Sequence, residues 1–278
     1  MIGFDKKIIP LDHWVSQFVD WLVEGYRPVF QAVKWPVETL MGWIEHGLVA
    51  IPALAVVLVL AIIAWRVSGI KLAIFTALAL LFVGMLGFWE ETMVTLAMVF
   101  ASVFFCTLTG IPLGIIAGRS DCFDAVLRPV LDAMQTTPAF VYLVPIVMLF
   151  SVGNVAGVLA TIIFALPPII RLTSLGIRQV HPELVEAALS FGATRWQVLR
   201  RVQFPLAMPS IMAGLNQTMM MALSMVVIAA LIGAGGLGAP VVQGLNTLDI
   251  GQATTGGLGI VLLAIILDRI TQALGRRQ

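Results

Sequence analysis

The sequence EAALSFGATRWQVLRRVQFP, at residues 186–205, lies between two almost entirely apolar stretches, 153–170 and 211–232. A bilayer strongly disfavours charge in its hydrocarbon core, so a charged stretch between two spans must lie outside that core. The charged side chains here and just upstream are Arg171, Arg178, Glu183, Glu186, Arg195, Arg200 and Arg201. The pattern predicts a helical membrane protein with a structured polar loop.

The loop has the local chemistry of two short helices joined by a turn. Pro182 suits the first position of a helix, where its missing N–H would have no partner. Gly192 suits the end of that helix, because it adopts the left-handed conformation readily. Thr194 and Gln197 then fit a capping box that opens the second helix. Pro205 discourages continuation of the second helix. Such a shape is suited to docking onto another protein.

The same residues resemble the EAA loop of ABC-importer permeases, whose pattern is Glu-Ala-Ala, three residues, Gly, nine residues and Ile-x-Leu-Pro. The matching positions are Glu186, Ala187, Ala188, Gly192 and Pro205. Val202 and Phe204 replace the Ile and the Leu of the pattern. The resemblance implies that the first helix of the loop, the coupling helix, seats in a groove on a cytosolic ATPase subunit. The alternative is an ordinary amphipathic loop between two spans.

The resemblance extends over roughly residues 90–270. Segments 132–150, 160–180 and 213–238 look like the glycine betaine/proline betaine branch of these permeases. The resemblance implies an all-α, polytopic bundle with the type I ABC importer permease fold, acting as a homodimer in the bacterial inner membrane. It also implies two protein partners, a cytosolic ATPase that binds ATP and Mg²⁺ and an extracytoplasmic binding protein that delivers a quaternary amine.

Composition supports a polytopic membrane protein. The chain is 60% hydrophobic and 11% charged, with a mean hydropathy of +1.02, whereas soluble domains carry about 25% charged residues. The net charge of +1 gives no basis for nucleic-acid binding. No G-x-x-x-x-G-K-[ST] phosphate loop occurs, so we expect a transport subunit that is not itself an enzyme. Cys106 lies in a span and Cys122 in a polar loop, so we expect no disulfide, and neither has the neighbours of a metal ligand.

Seven apolar stretches are long enough to suggest spans: 48–66, 70–88, 93–118, 134–151, 155–174, 211–233 and 253–271. Lys and Arg alternate between the loops that join them, and basic loops face the cytoplasm. The EAA loop, about 179–209, and the C-terminus are therefore predicted to be cytoplasmic. The N-terminus is predicted to be extracytoplasmic, and residues 48–278 to form the transmembrane permease domain.

Residues 1–47 form an N-terminal segment with a different pattern. Trp14, Phe18 and Trp21 recur at helical spacing, while acidic residues interrupt the segment. This pattern predicts an amphipathic helix on the outer membrane surface. The alternative is a helix packed on the protein's own spans.

Polar residues within the spans are candidates for the substrate path. Asn216, Met220 and Ser224 share one face of the span that follows the loop. Such groups usually face the bundle interior or a water-filled cavity. Interhelical hydrogen bonding is the alternative, and we favour it for Gln217 but not for Asn216 or Ser224.

Two further features bear on the path. Thr136 and Thr137, followed by Pro138, predict a bent span near the path. The glycines of 233–238 predict a flexible hinge at the outer mouth, although GAGGLG also fits the dinucleotide pattern G-x-G-x-x-G. A dinucleotide site needs a strand before the glycines, and here a span precedes them.

Three other function classes remain as alternatives. One is an ABC permease for another small solute, such as an amino acid. Another is an ion-coupled secondary transporter, which is expected to show acids at mid-membrane and repeated broken spans. The third is an intramembrane enzyme, which needs a catalytic constellation within a span. The central spans hold no deeply placed acid, so we expect tight substrate capture by a separate binding protein, in an aromatic cage.

Overall fold

All regular elements of the computed structural model, which describes residues 11–276, are helical, and this confirms the predicted all-α fold. The α-helices are α1 Leu11–Ala50, α2 Ala53–Ser68, α3 Ile70–Met85, α4 Trp89–Arg119, α5 Asp121–Thr136, α6 Ala139–Phe150, α7 Asn154–Arg178, α8 Pro182–Ser190, α9 Arg195–Val198, α10 Phe204–Ala229, α11 Gly238–Thr247 and α12 Ile250–Arg276. A π-helical turn, Leu199–Gln203, joins α9 to α10.

The centre of the bundle is α7, which packs against α4 on one side and α10 on the other. Gly110, Gly114 and Gly118 recur every four residues along the face of α4 that meets α7. A Cβ atom on Gly114 would lie 2.5 Å from the Cβ of Thr173 and 2.7 Å from the carbonyl oxygen of Ile170. Membrane helices gain attraction from such close approach, because lipid supplies no hydrophobic drive between them. These glycines therefore set the spacing between α4 and α7.

Fewer helices meet the length of a span than the sequence predicted. Among residues 11–276, four helical segments are long and apolar enough to cross a membrane: α4, α7, the continuous segment Arg195–Ile232 and α12. Two pairs of helices are long and apolar enough to cross a membrane only when each pair is taken together. The helices α1 and α2 are bent by 108° relative to each other, and α5 and α6 by 98°. Counting each pair as one span gives six for the described residues, and this count leaves out the apolar helix α3, which has 16 residues.

The predicted span 134–151 is divided by a break in the chain between α5 and α6. The helix α6 has 12 residues and a length of about 18 Å, against a hydrocarbon core of about 30 Å. Thr137 is extended, with φ −72° and ψ 126°, because the ring of Pro138 disfavours the helical conformation in the residue before it. The predicted bend at Thr136–Pro138 is confirmed.

The predicted spans 48–66 and 70–88 correspond to a helical hairpin. Residues 48–50 belong to α1, and the chain turns at Ile51 and Pro52 before α2 begins. The chain then folds back at Gly69, whose φ of +95° favours glycine. Leu54 near the start of α2 and Met85 at the end of α3 line one cavity, so the two helices run antiparallel. Each has 16 residues, or about 24 Å, and is shorter than the predicted span.

The N-terminal helix α1 packs on the bundle in its second half and is exposed in its first half. Val37 and Met41, in its second half, are buried in the main core, so this half packs on the protein's own spans. Trp14, Phe18 and Trp21, in its first half, are more than half exposed. The predicted boundary at residue 47 falls inside this helix. Placement of the exposed aromatic residues on the outer membrane surface stays a prediction.

Candidate coupling loop and transport path

The EAA loop forms a protruding pair of helices. None of the residues of α8 is buried, and Glu186 and Ala187 are exposed while Ala188 is half-buried. The apolar side chains that remain exposed on α8 and just after it are Leu184, Leu189, Phe191 and Trp196. Exposed apolar side chains that cluster on one polar loop mark a surface for a protein partner.

The turn after α8 depends on Gly192. Its φ is +81°, so the prediction of a left-handed helix end is confirmed. The N–H of Gly192 donates to the Leu189 carbonyl at 2.9 Å, and the N–H of Ala193 donates to the Ala188 carbonyl at 3.1 Å. This pair of bonds is the Schellman arrangement, which satisfies the last carbonyls of the helix.

The second helix of the loop opens with the predicted capping box. The N–H of Gln197 donates to Oγ1 of Thr194 at 3.3 Å, and the N–H of Thr194 donates to Oε1 of Gln197 at 2.8 Å. Both bonds satisfy backbone groups that a helix start leaves without partners. The direction of α9 is therefore determined within four residues of sequence.

The expected end of the second helix at Pro205 is wrong. The chain continues as a helix from Arg195 to Ile232. Proline removes an N–H and its ring clashes with the carbonyl four residues earlier, here that of Arg201. The π-helical turn at Leu199–Gln203 widens the helix just before Pro205, and the N–H of Phe204 donates five residues back, to Leu199. The loop and the following span are thus one continuous element.

The inner end of α7 is held to α5 by ion pairs. Arg171 pairs with Asp132, and Arg178 pairs with Asp121 at 2.5 Å. Arg178 also donates to the Ala117 carbonyl at 2.7 Å. Packing of Leu131 in the main core adds to these pairs. Arg178 lies four residues before α8 begins, so its ion pair and its bond to α4 hold the chain at the base of the loop.

The three candidate path residues of α10 differ in their surroundings. Ser224 is exposed, and its hydroxyl donates only to the Met220 carbonyl, at 3.0 Å. Met220 is half-buried. Asn216 instead bonds to α12, since its Nδ2 donates to Oδ1 of Asp268 at 3.2 Å and its Oδ1 accepts from the hydroxyl of Thr271. Asn216 thus makes the interhelical hydrogen bonds that the sequence analysis favours for Gln217.

Asn216 and Gln217 nevertheless share a cavity of about 520 Å³ between α7, α10 and α12. Gln217 is exposed. Sequence reasoning missed Asp268, which lies in α12 and bonds to Asn216 of α10. The spacing Asp268, Thr271, Gln272 was the available signal, because residues three and four apart lie on one helix face.

Thr136 and Thr137 lie at the break between α5 and α6, away from the Asn216 cavity. Both hydroxyls donate to the Ala133 carbonyl, at 3.2 and 2.7 Å. The hydroxyl of Tyr142 donates to the Met134 carbonyl at 2.6 Å. These bonds satisfy the carbonyls at the end of α5. The structure does not bring the two threonines together with Asn216, Met220 and Ser224 within one chain.

The glycine-rich segment after α10 forms a hydrogen-bonded corner, and its role as a hinge stays a prediction. The N–H of Gly235 donates to Oδ1 of Asn154 at 2.6 Å, and the N–H of Leu237 donates to Oγ1 of Thr95 at 2.8 Å. A Cβ on Gly236 would lie 2.5 Å from that same oxygen. The glycines permit close approach to α4 and α7.

A bundle of apolar spans with a protruding helical loop defines the class of polytopic membrane permeases. The family model described as "Binding-protein-dependent transport system inner membrane component" matches residues 110–278, and the chain belongs to this family. It is a multi-pass inner-membrane component of a binding-protein-dependent transport system.

Similar proteins cover nearly the whole chain. The chain is 57% identical over 273 residues, 98% of its length, to the glycine betaine/proline betaine transport system permease protein ProW of Escherichia coli, of which 77% is covered. It is 43% identical to the glycine betaine transport system permease protein OpuAB of Bacillus subtilis, covering 95% of this chain and 94% of that protein.

Solved structures agree on the fold. One inward-facing structure of the MetNI methionine ABC transporter matches with a TM-score of 0.60 at 23% identity, covering 66% of this chain and 92% of the other. A second crystal form matches with a TM-score of 0.57 at 27% identity, covering 66% and 90%. The type I ABC importer permease fold is thereby confirmed.

Proposed function

We propose that the chain is the permease subunit of an ATP-driven importer for glycine betaine, proline betaine and related quaternary amines. The observation that carries the proposal is the 57% identity to a glycine betaine/proline betaine permease across 98% of the chain. Further relatives are named for carnitine and for trimethylamine N-oxide, at 45% and 41% identity. All these solutes carry a fully substituted nitrogen, which defines the substrate class.

In this function the chain supplies the path for the solute, and ATP hydrolysis by a partner supplies the energy. The coupling helix α8 docks on a cytosolic ATPase, which binds ATP and Mg²⁺, while a binding protein captures the amine outside. Leu184 and Leu189 provide apolar contact, and Glu186 provides charge. Two copies of the chain enclose one path, to which Met220 and Ser224 contribute.

A single helical element connects the docking surface to the path. The segment Arg195–Ile232 has 38 residues and a length of about 57 Å, enough to reach from the loop across the bilayer. It contains both α9, beside the coupling helix, and the span with Met220 and Ser224. A displacement of α9 by the docked coupling helix is therefore carried to the path along one helical element.

Reconstitution tests this function directly. The permease is inserted into vesicles with its ATPase and its binding protein, and uptake of labelled glycine betaine is followed with and without ATP. We expect uptake only with ATP and with both partners present, and competition by proline betaine but not by methionine. Uptake driven by an ion gradient without ATP supports the secondary-transporter alternative, and preference for methionine supports another ABC permease.

Ser224→Trp should lower uptake at least tenfold while the complex still assembles. Ser224 is exposed on the open face of α10, so a large side chain there obstructs the path without disturbing the core. Leu58→Trp, at an exposed apolar position of α2, is the matched control and should transport normally. Uptake in vesicles and co-purification with the ATPase provide the measurements, and normal uptake by Ser224→Trp removes this residue from the path.

The N-terminus should be extracytoplasmic, and the EAA loop and C-terminus cytoplasmic. The native thiols offer a test, because Cys122 is exposed near Arg119 and Arg128 whereas Cys106 is buried. A membrane-impermeant maleimide should label Cys122 only after permeabilisation, and should label a Ser16→Cys, Cys122→Ser variant in intact cells. Labelling of Cys122 from outside inverts the proposed topology.

A further inference from the structure

The last span, α12, carries a half-buried acid, Asp268. Among the side chains described for residues 11–275, no Lys or Arg forms an ion pair with Asp268. Carboxylates in a span are costly, and they persist where they serve transport or fix the bundle. The question is which task Asp268 performs.

The carboxylate of Asp268 is satisfied entirely by amides. Its Oδ1 accepts from Nδ2 of Asn216 at 3.2 Å, and Nε2 of Gln272 donates to both carboxylate oxygens, at 2.7 and 2.8 Å. An ionised carboxylate can only accept, so the amide nitrogen of Asn216 must face it. The amide oxygen then faces the Thr271 hydroxyl, whose single proton is shared between this oxygen and the Leu267 carbonyl of its own helix, at 2.8 Å. Asn216 therefore has one orientation, held at both ends by α12.

This network matters because α12 is otherwise weakly held. Of the 18 residues in the most apolar part of α12, only 28% are buried, against 56% in α4 and 61% in α7. Its apolar side chains are divided between two neighbours. Leu263 and Leu267 join the main core, whereas Ile266 and Ile270 pack with the α2–α3 hairpin. Apolar contact alone does not determine which neighbour α12 follows when the bundle moves.

We propose that Asp268 is a positioning residue for transport, which acts through Asn216 to lock α12 to α10. Because α10 is continuous with the coupling loop, the lock makes α12 move together with the loop. The inference rests on the proposed function, since it assigns a role within the transport cycle. Without the lock, the ATPase turns over while the inner half of the path follows incompletely.

An exchange of the two side chains tests the lock. Asn216→Asp places two carboxylates about 3 Å apart, and like charges at that distance oppose each other. Exchange of both residues, Asn216→Asp with Asp268→Asn, restores one carboxylate and one amide across the same contact. Uptake per ATP hydrolysed is measured in vesicles that contain the ATPase and the binding protein. We expect a fall of about tenfold in Asn216→Asp and recovery to within about twofold of wild type in the exchange, where tenfold corresponds to 1.4 kcal/mol.

A covalent bond between the helices provides an independent rescue. A Cβ on Gly275 of α12 would lie 3.2 Å from the Cβ of Met212 on α10, close to the separation of about 3.8 Å in a disulfide. In a Cys122→Ser background, Met212→Cys with Gly275→Cys is combined with Asn216→Asp. Oxidation with copper phenanthroline should restore coupling, and reduction should abolish it again. A role limited to the charge of Asp268 predicts no rescue by the disulfide.

Controls separate this inference from folding and from the proposed function. Thr255→Val, on α12, removes a hydroxyl that bonds only within its own helix and should couple normally. Melting of the purified complex is measured alongside, because a purely structural role lowers stability and leaves uptake per ATP unchanged. Wild-type coupling in Asn216→Asp, or an exchange variant as poor as Asn216→Asp, overturns the lock. Absence of amine uptake by the wild-type complex overturns the proposed function instead.

Discussion

Replacing Gly192 with valine will abolish the stimulation of ATP hydrolysis by substrate, while the permease remains in the membrane at its normal level. Gly192 has a φ of +81°, and a β-branched residue there is strained by about 1–2 kcal/mol. No residue of α8 is buried, so the turn and its two Schellman bonds determine where the coupling helix points. If the valine turn relaxes to a less strained conformation, Leu184, Glu186 and Leu189 move away from the groove on the ATPase in which we propose that α8 docks.

The design of this experiment uses the empty space around Gly192. A Cβ there meets no atom within 4 Å, so any effect arises from the backbone and not from a clash. Asn tolerates the left-handed conformation better than other residues, and Gly192→Asn is therefore the matched control, expected to retain most coupling. Substrate-stimulated ATP hydrolysis and co-purification with the ATPase are measured for both. Equal coupling in the valine and asparagine variants would mean that the loop is only a connector.

Glu186→Lys should weaken coupling by a different route. It reverses the charge of an exposed residue in the middle of α8, and we expect the new charge to oppose a basic contact on the ATPase partner that we propose. The same two measurements apply, with the binding protein still capturing substrate. Full coupling in this variant removes Glu186 from the docking surface.

Gly114→Ala will destabilise the whole bundle, although it adds a single methyl group. The new Cβ would lie 2.5 Å from the Cβ of Thr173 and 2.7 Å from a backbone oxygen of α7, and neither is the flexible end of a side chain. Overpacking of a core costs about 1–3 kcal/mol, and here it forces apart the two helices at the centre of the fold. We expect a lower melting temperature and less protein in the membrane.

Gly257→Ala is the matched control for this prediction. Gly257 lies within α12, and a Cβ there meets nothing within 4 Å. Alanine is favoured over glycine in a helix by about 0.8–1.0 kcal/mol, so this variant should melt at or above the wild-type temperature. Thermal melting in detergent compares the two. If Gly114→Ala melts like Gly257→Ala, the close approach of α4 to α7 does not limit stability.

The local features of the loop could be predicted from the sequence because each involves residues a few positions apart. Pro182 opens α8, Gly192 closes it, and Thr194 with Gln197 caps α9, all as predicted. Helix capping depends on backbone groups within one turn, so no knowledge of the rest of the fold is required. The same is true of the bend at Thr137, which the ring of Pro138 imposes on its immediate neighbour.

The sequence by itself also determined the class of the protein. Long apolar stretches with most charges between them indicate membrane helices, because a bilayer disfavours charge and requires every backbone group to be bonded within the span. The pattern did not predict how the spans are divided into helices, however. Apolarity shows that a segment lies in lipid or in a core, but it does not show whether the helix crosses, as the 12 residues of α6 illustrate.

The tertiary structure decided the roles of the polar and glycine residues inside the bundle. Asn216 bonds to Asp268, 52 positions away, and Leu237 bonds to Thr95, 142 positions away. The same residue types are compatible with a water-lined path or with hydrogen bonds between helices, and only the identity of the neighbouring helix selects between them. A buried polar group must find a partner, and which partner it finds depends on how the helices pack rather than on the sequence around it.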